Sequence, residues 1–255
     1  MDVPHRGLAP LAMGRITCHR ASMDLPQPLV SATLLRRYKR FLADVRLDDG
    51  SEAVAHCANP GSMMGLQAPG SRVWLSRSGP GRKLAYGLEL VQADGTLVAI
   101  NTINPNRIAV EAVRDGLVSG VAAEAALQRE VVYGTENSRI DLVATNPDGA
   151  ASWIEVKNCH LMRQPGLAEF PDSVTTRGAK HLRELARLVE AGQRAVLLFI
   201  IQRGDCDRLA FARDIDPGYA GAVRAAAQAG VEVHALRCHV DITSVRAIAP
   251  VPVEL

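Results

Sequence analysis

Aromatic residues are scarce: two Trp, four Tyr and four Phe make up 4% of the 255-residue chain. With so few rings to stack on sugars, a carbohydrate-binding sensor finds little support. No run approaches about eighteen uninterrupted apolar residues, so a membrane-spanning helix is not expected and no membrane partner is implied. The five cysteines (Cys18, Cys57, Cys159, Cys206 and Cys238) are odd in number and widely spaced, without a C-x-x-C pair. That excludes the common zinc and redox motifs and fits small buried thiols in a reducing cytoplasm. Charge of one sign is also lacking, since 29 basic residues against 27 acidic ones leave a net charge of only +2. A nucleic-acid partner therefore has to be argued from where the positive charge clusters. What remains is globular in composition, 47% hydrophobic and 22% charged, with length for one large domain or two small ones.

Residues 1–24 mix Pro, Gly, Arg, His and Met without a sustained period and lack the apolar core of a secretory signal. They read as a disordered leader, or as the product of a start codon upstream of Met23. From 29 to 103 the chain reads as short strands, at 29–35, 40–47, 53–57, 72–76, 85–92 and 97–101, separated by turn signals such as Asp48-Asp49-Gly50 and Asp94-Gly95. Strands at this spacing predict a small barrel of the oligonucleotide-binding (OB) type over 25–105. The pattern changes after Asn104-Pro105-Asn106. A helix is predicted over 107–127, strands at 130–133, 138–144 and 152–156, and an amphipathic helix over 176–191. An apolar strand at 195–201, an Ala-rich helix over 216–229 and a strand at 231–236 follow. This order predicts a mixed α/β sheet over 106–242, covered on both faces, with 243–255 as a C-terminal tail.

Within that sheet, Ser138-Arg139-Ile140-Asp141 and Ile154-Glu155-Val156-Lys157 carry charge where a buried strand should carry Val, Ile or Leu. Glu155 and Lys157, two apart, project from the same side of their strand. The turn Asn146-Pro147-Asp148-Gly149 folds the chain back and brings Asp141 beside Glu155. Hard carboxylate oxygens suit Mg²⁺ or Mn²⁺, and a neighbouring lysine positions water or stabilises charge. Asp141, Glu155 and Lys157 are thus the candidate catalytic residues, with Asp141 and Glu155 as metal ligands and Glu130 a candidate third. The bland reading is a salt-bridge network in a partly solvated sheet. Two basic clusters are candidate nucleic-acid contacts. Arg36, Arg37, Lys39 and Arg40 are interleaved with Tyr38 and Phe41, as in surfaces that hold single strands. Arg177, Lys180 and His181 fall at i, i+3 and i+4 near the start of the helix over 176–191, where an anion is also favoured. Asn59 to Met63 reads as turn chemistry first and a phosphate nest second. Asp172 reads as an Asx turn before a site contact, and His56 and His160 as strand residues.

Several of these runs resemble the sugar fermentation stimulation protein A family. They are Arg37-Tyr38-Lys39-Arg40-Phe41-Leu42-Ala43-Asp44-Val45, His56-Cys57-Ala58-Asn59-Pro60-Gly61-Ser62-Met63, Ser138-Arg139-Ile140-Asp141, Glu155-Val156-Lys157-Asn158 and Phe170-Pro171-Asp172. Thr176-Arg177-Gly178-Ala179-Lys180-His181-Leu182-Arg183-Glu184-Leu185 adds a long match in order, and the similarity spans about 28–240. Ala58 stands where the family tends to carry Pro. The resemblance implies an OB barrel followed by a restriction-endonuclease-like domain of the PD-(D/E)xK type, with DNA binding of little sequence preference. It places the nuclease signature on Asp141, Glu155 and Lys157, all intact. The expectation is a cytoplasmic DNA-binding protein (RNA being the other polynucleotide) with a Mg²⁺- or Mn²⁺-dependent phosphodiesterase site. The alternative is a non-catalytic DNA-binding regulator linked to sugar metabolism that retains the fold.

Overall fold

The computed structural model describes residues 23–136 and 138–255. The leader reading for residues 1–24 lies outside them up to residue 22, but its last two residues are no leader: Met23, 1% exposed, and Asp24 pair with Val245 and Ser244. β1 (Met23–Asp24) precedes the N-terminal barrel, which is built from β2 (Val30–Tyr38), β3 (Leu42–Leu47), β4 (Glu52–Cys57), β5 (Arg72–Arg77) and β6 (Tyr86–Ala93). The strand order β4-β3-β2-β5-β6 closes on itself through a β4–β6 pairing, and β7 (Thr96–Ala99) adds to β6 as a hairpin. Alternating small and branched residues fill the interior, among them Ala32, Leu34, Ala43, Val45, Val73 and Leu75, all 0% exposed.

α1 (Asn104–Arg114) is about half the length predicted from the sequence. Its apolar periodicity runs on past Arg114, but Gly116 adopts φ +70°, a left-handed conformation that suits residues without a Cβ. The N–H groups of Gly116 and Leu117 donate to the carbonyls of Val113 and Ala112, which closes the helix in a Schellman cap. Residues beyond it return as loop.

The C-terminal part supplies β8 (Ala126–Tyr133), β9 (Ser138–Thr145), β10 (Ala151–Cys159), β11 (Leu161–Gln164), β12 (Gly166–Phe170), α2 (Thr176–Glu190), β13 (Arg194–Ile201), β14 (Cys206–Phe211), α3 (Pro217–Gln228), β15 (Glu232–Val240), β16 (Ser244–Val251) and β17 (Val253–Glu254). One seven-stranded sheet runs β1-β16-β15-β13-β10-β9-β8, with β10, β13 and β15 parallel and the outer pairings antiparallel. Central β13 is buried from Ala195 to Ile201, as a parallel strand covered on both faces should be. The stretch 243–255 is therefore no tail. β16 carries Val245 and Ala247 into the core and pairs along β15. A second sheet, β11-β12-β14-β17, has no counterpart in the sequence reading.

Two cores flank the main sheet. One gathers Ile108, Ala112 and Val113 of α1 with Ile154, Val156 and Leu198, and extends to Leu90 and Ala99 of the barrel region. The other sets Leu182 and Leu185 of α2 and Tyr219 and Val223 of α3 against Leu197 and Phe199. Barrel and sheet are thereby packed on a shared core.

Candidate metal-dependent active site

The β9–β10 ladder stops at the point where the chemistry begins. Its last pair is Ile154↔Leu142, and the next position would set Glu155 opposite Asp141. Instead, the Asp141 side chain takes over, with Oδ2 accepting the Val156 N–H at 2.8 Å. On its other side β9 faces β8, where Arg129 pairs with Leu142 and Val131 with Ile140, while Glu130, between them, adopts φ +55°. The strand alternation breaks at the same place: Ile140 packs toward α2 and α3, and Leu142 toward α1. A local kink thus re-aims Asp141 toward β10, as irregularities in strands often do beside functional sites. Its Oδ1 accepts a hydrogen bond from Asn106 Nδ2, 2.9 Å away, in the first turn of α1.

Glu155 is only 2% exposed and sits on the α2 side of β10. Its Oε1 accepts from Lys157 Nζ at 2.6 Å and meets His181 Nδ1 of α2 at short range. Its Oε2 is buried without a hydrogen-bonding partner. Burial, together with the Glu155 charge, raises the Asp141 carboxyl above its ordinary range. Burial pushes Glu155 up as well, but the Lys157 ammonium and His181 hold its carboxyl below the ordinary value. Glu155 is thus the better compensated of the two carboxylates, and Asp141 the one its surroundings leave less favoured as an anion. Two close carboxylates, one of them with an orphaned oxygen, form a donor set that a divalent cation fits, because its charge offsets both the burial and the mutual repulsion.

Glu130 is exposed and is not among the charges that shift Asp141 or Glu155. Among the described residues no group of three or more His, Cys, Asp and Glu side chains is arranged to hold a metal ion. The donors present are therefore two carboxylates, which suits an ion completed by water and phosphate oxygens.

The basic residues divide between free and engaged. His181 is turned inward to Glu155, and exposed Arg177 donates from Nε to its Nε2 at 3.3 Å. Lys180 donates to the Glu136 carbonyl in the β8–β9 turn. At the barrel, Arg36 pairs with Asp44 at 2.6 Å and lies over the Tyr38 ring. Arg37 is internal to the fold: its guanidinium donates to the carbonyls of Arg40, Asn59, Gly61 and Ser62. Lys39 and Arg40 form the β2–β3 turn at φ +50° and +64°, with exposed side chains, and Phe41 beside them is 47% exposed.

The turn at Asn59 to Met63 is occupied from within the molecule. Asn59 Oδ1 accepts the Gly61 N–H, and Asp172 Oδ2 accepts the Met63 N–H at 2.9 Å. Ser62 Oγ donates to the Asp172 carbonyl at 2.6 Å. Asp172, read from the sequence chiefly as a turn former, is a contact between the two parts of the chain. Sequence reasoning missed Asn106, whose only signal was its place beside Pro105 at a helix start.

Residues 103–244 match the family described as Sugar fermentation stimulation protein RE domain, and 35–100 match SfsA N-terminal OB domain. The chain belongs to this family. It is 59% identical over 217 residues to a sugar fermentation stimulation protein homolog of Rhodospirillum centenum, covering 85% of this chain and 93% of the relative. A homolog from Allorhizobium ampelinum is 55% identical over 234 residues, covering 91% and 99%. Among solved structures, Pyrococcus furiosus SfsA in complex with Ca²⁺ superposes with a TM-score of 0.82 at 26% identity, covering 91% of this chain and 98% of that one. The OB-type barrel followed by a mixed sheet is thus the SfsA architecture. Among the described residues no helix is long and apolar enough to cross a membrane.

Proposed function

We propose that this SfsA-family protein binds DNA with little sequence preference and hydrolyses its phosphodiester backbone at Asp141, Glu155 and Lys157. The observation that carries this reading is the buried, unpartnered Oε2 of Glu155 beside Asp141, with the Lys157 ammonium 2.6 Å from the other oxygen. Asp141 and Glu155 would hold Mg²⁺ or Mn²⁺. The Ca²⁺ in the P. furiosus relative supports a divalent ion in this architecture. Bound there, such an ion supplies polarisation of the scissile phosphate and a lower pKa for the attacking water.

The protein's own groups do the rest. Asn106 and the Val156 N–H fix both oxygens of Asp141, so its carboxylate is oriented before any ligand arrives. His181 holds Glu155 from α2 through Oε1 and leaves Oε2 without a protein partner. Lys157, 16% exposed, keeps one foot on Glu155 and can donate to a phosphate oxygen as negative charge builds there. Arg177 and the free cations of the barrel supply the sequence-independent attraction of a polyanion.

The test is incubation of the full chain with single- and double-stranded oligonucleotides in Mg²⁺, Mn²⁺ or EDTA. Cleavage that needs the metal and disappears in Glu155→Gln is expected, with binding in EDTA retained. Glu155→Gln should also remove the metal-dependent rise in thermal midpoint, a readout independent of turnover. Absence of cleavage of any polynucleotide by the wild type removes the catalytic claim, and binding alone would then favour the regulator.

A further inference from the structure

A cleft of about 460 Å³ opens on the barrel beside α1, lined by neither of the basic clusters singled out in the sequence. Its walls include His56, Ser78, Arg82, Lys83, Asn101 and Ile103. On its floor His56 of β4 lies opposite Gly87 of β6, directly opposed strand positions share a face, and a Cβ on Gly87 would meet Ser76 Oγ at 3.0 Å. Arg82 and Lys83 stand on the Gly-Pro-Gly loop between β5 and β6, and both are exposed. Neither side chain has a hydrogen bond or ion pair among the described residues. Glu89, close to Gly87, is buried and committed, Oε1 to Ser76 at 2.7 Å and Oε2 to Asn101 at 3.1 Å. The accessible charge of the cleft is therefore positive.

The cleft is connected at both ends. On one side, His56 pairs with Leu42, which follows exposed Phe41 and the Lys39-Arg40 turn. On the other, Ile103 is 67% exposed and is the N-cap residue of α1. Three residues further on, Asn106 bonds Asp141. The exposed cations Arg82 and Lys83 thus share the cleft with exposed Ile103, and the cleft's β4 wall pairs with the strand that begins after exposed Phe41.

We infer that this cleft holds a single polynucleotide strand, with Arg82 and Lys83 on its phosphates and Ile103 against an unstacked base, and leads it toward Asp141 and Glu155. The inference rests on the polynucleotide reading above and adds the strand's path. A single strand fits better than a duplex, because only unpaired bases offer a free face to Phe41 and Ile103.

The experiment measures binding of a fluorescent oligo-dT to the full chain in EDTA across a salt series. Arg82→Glu/Lys83→Glu should weaken binding at least about tenfold at 0.1 M salt and make the salt slope shallower by about 1.4, the loss of two single-strand phosphate contacts. Ile103→Asn, a residue type that N-caps favour, should weaken binding without changing the slope or lowering the thermal midpoint. Arg246→Glu, at an exposed position on β16 of the C-terminal sheet, should bind as the wild type does. Wild-type binding with an unchanged double variant, or an equal loss in Arg246→Glu, overturns the cleft while leaving the proposed function standing. A wild type that binds no polynucleotide overturns both, and loss of duplex binding only overturns the single-strand assignment.

Discussion

At the scale of single residues, the site turns on how a buried carboxylate is compensated. Glu155 is ionised at 2% exposure because Lys157 and His181 both reach its Oε1. Removing one partner of such a pair costs roughly 3–5 kcal/mol, since the remaining charge stays buried. Lys157→Met should accordingly lower the thermal midpoint in EDTA, with Mn²⁺ restoring more of the loss than it adds to the wild type. The same variant should lose about 100-fold or more in cleavage rate if the ammonium meets developing charge on phosphate. Differential scanning fluorimetry and single-turnover kinetics separate the two effects. Asp141, Glu155 and Lys157 were legible in the sequence because charge inside an apolar strand is conspicuous. The commitment of Arg37 to carbonyls was not, because a basic residue in a basic run looks the same whether its partners are phosphates or the protein's own backbone.

Among elements, the hairpin tip between β8 and β9 is held by α2. Glu184, 1% exposed, accepts the N–H groups of Thr135 and Glu136, and Arg183 and Arg187 reach Glu136. Gly134 makes this possible: its φ is +71°, and a Cβ there would lie 2.0 Å from Glu184 Oε2. Gly134→Ala should destabilise by about 1–3 kcal/mol, combining backbone strain with displacement of a buried carboxylate. Urea denaturation checks this, and a loss below about 0.5 kcal/mol would contradict the close approach. Helix α2 itself was readable from its apolar stripe, and β13 from its unbroken Val-Leu-Leu-Phe-Ile-Ile run. Strands β11, β12 and β14 were not, because their short polar-apolar mixtures carry no period and gain their form from pairing with one another.

Across the whole molecule, barrel and sheet are joined by contacts that neither makes alone. Arg203, 1% exposed, holds Asp205 through Nε at 2.7 Å and reaches Asp94 of the barrel hairpin at 2.9 Å. Asp172 docks on the 61–63 loop, and His160 Nε2 lies 3.4 Å from its Oδ2. Burial alone would raise the Asp172 carboxyl, but His160 and the Met63 N–H outweigh it and hold it below the ordinary range. A depressed folded value means the stabilisation is present above the unfolded value of about 3.9 and is lost as pH falls through the folded one. Wild-type thermal midpoints should therefore drop below about pH 4 more steeply than those of Asp172→Asn, while the variant is the less stable near neutrality by about 1–3 kcal/mol. Equal acid limbs would show that the docking carboxylate is not ionised. By itself, the sequence determined the two-part architecture, helices α2 and α3 and the charged positions Asp141, Glu155 and Lys157 inside apolar strands, because periodicity, turn chemistry and misplaced charge are local signals. Only the tertiary structure decided which cations are free, what fills the Asn59–Met63 turn and where a cleft opens. Those depend on which distant groups meet, and the partners of backbone carbonyls and of paired strands leave no mark on composition.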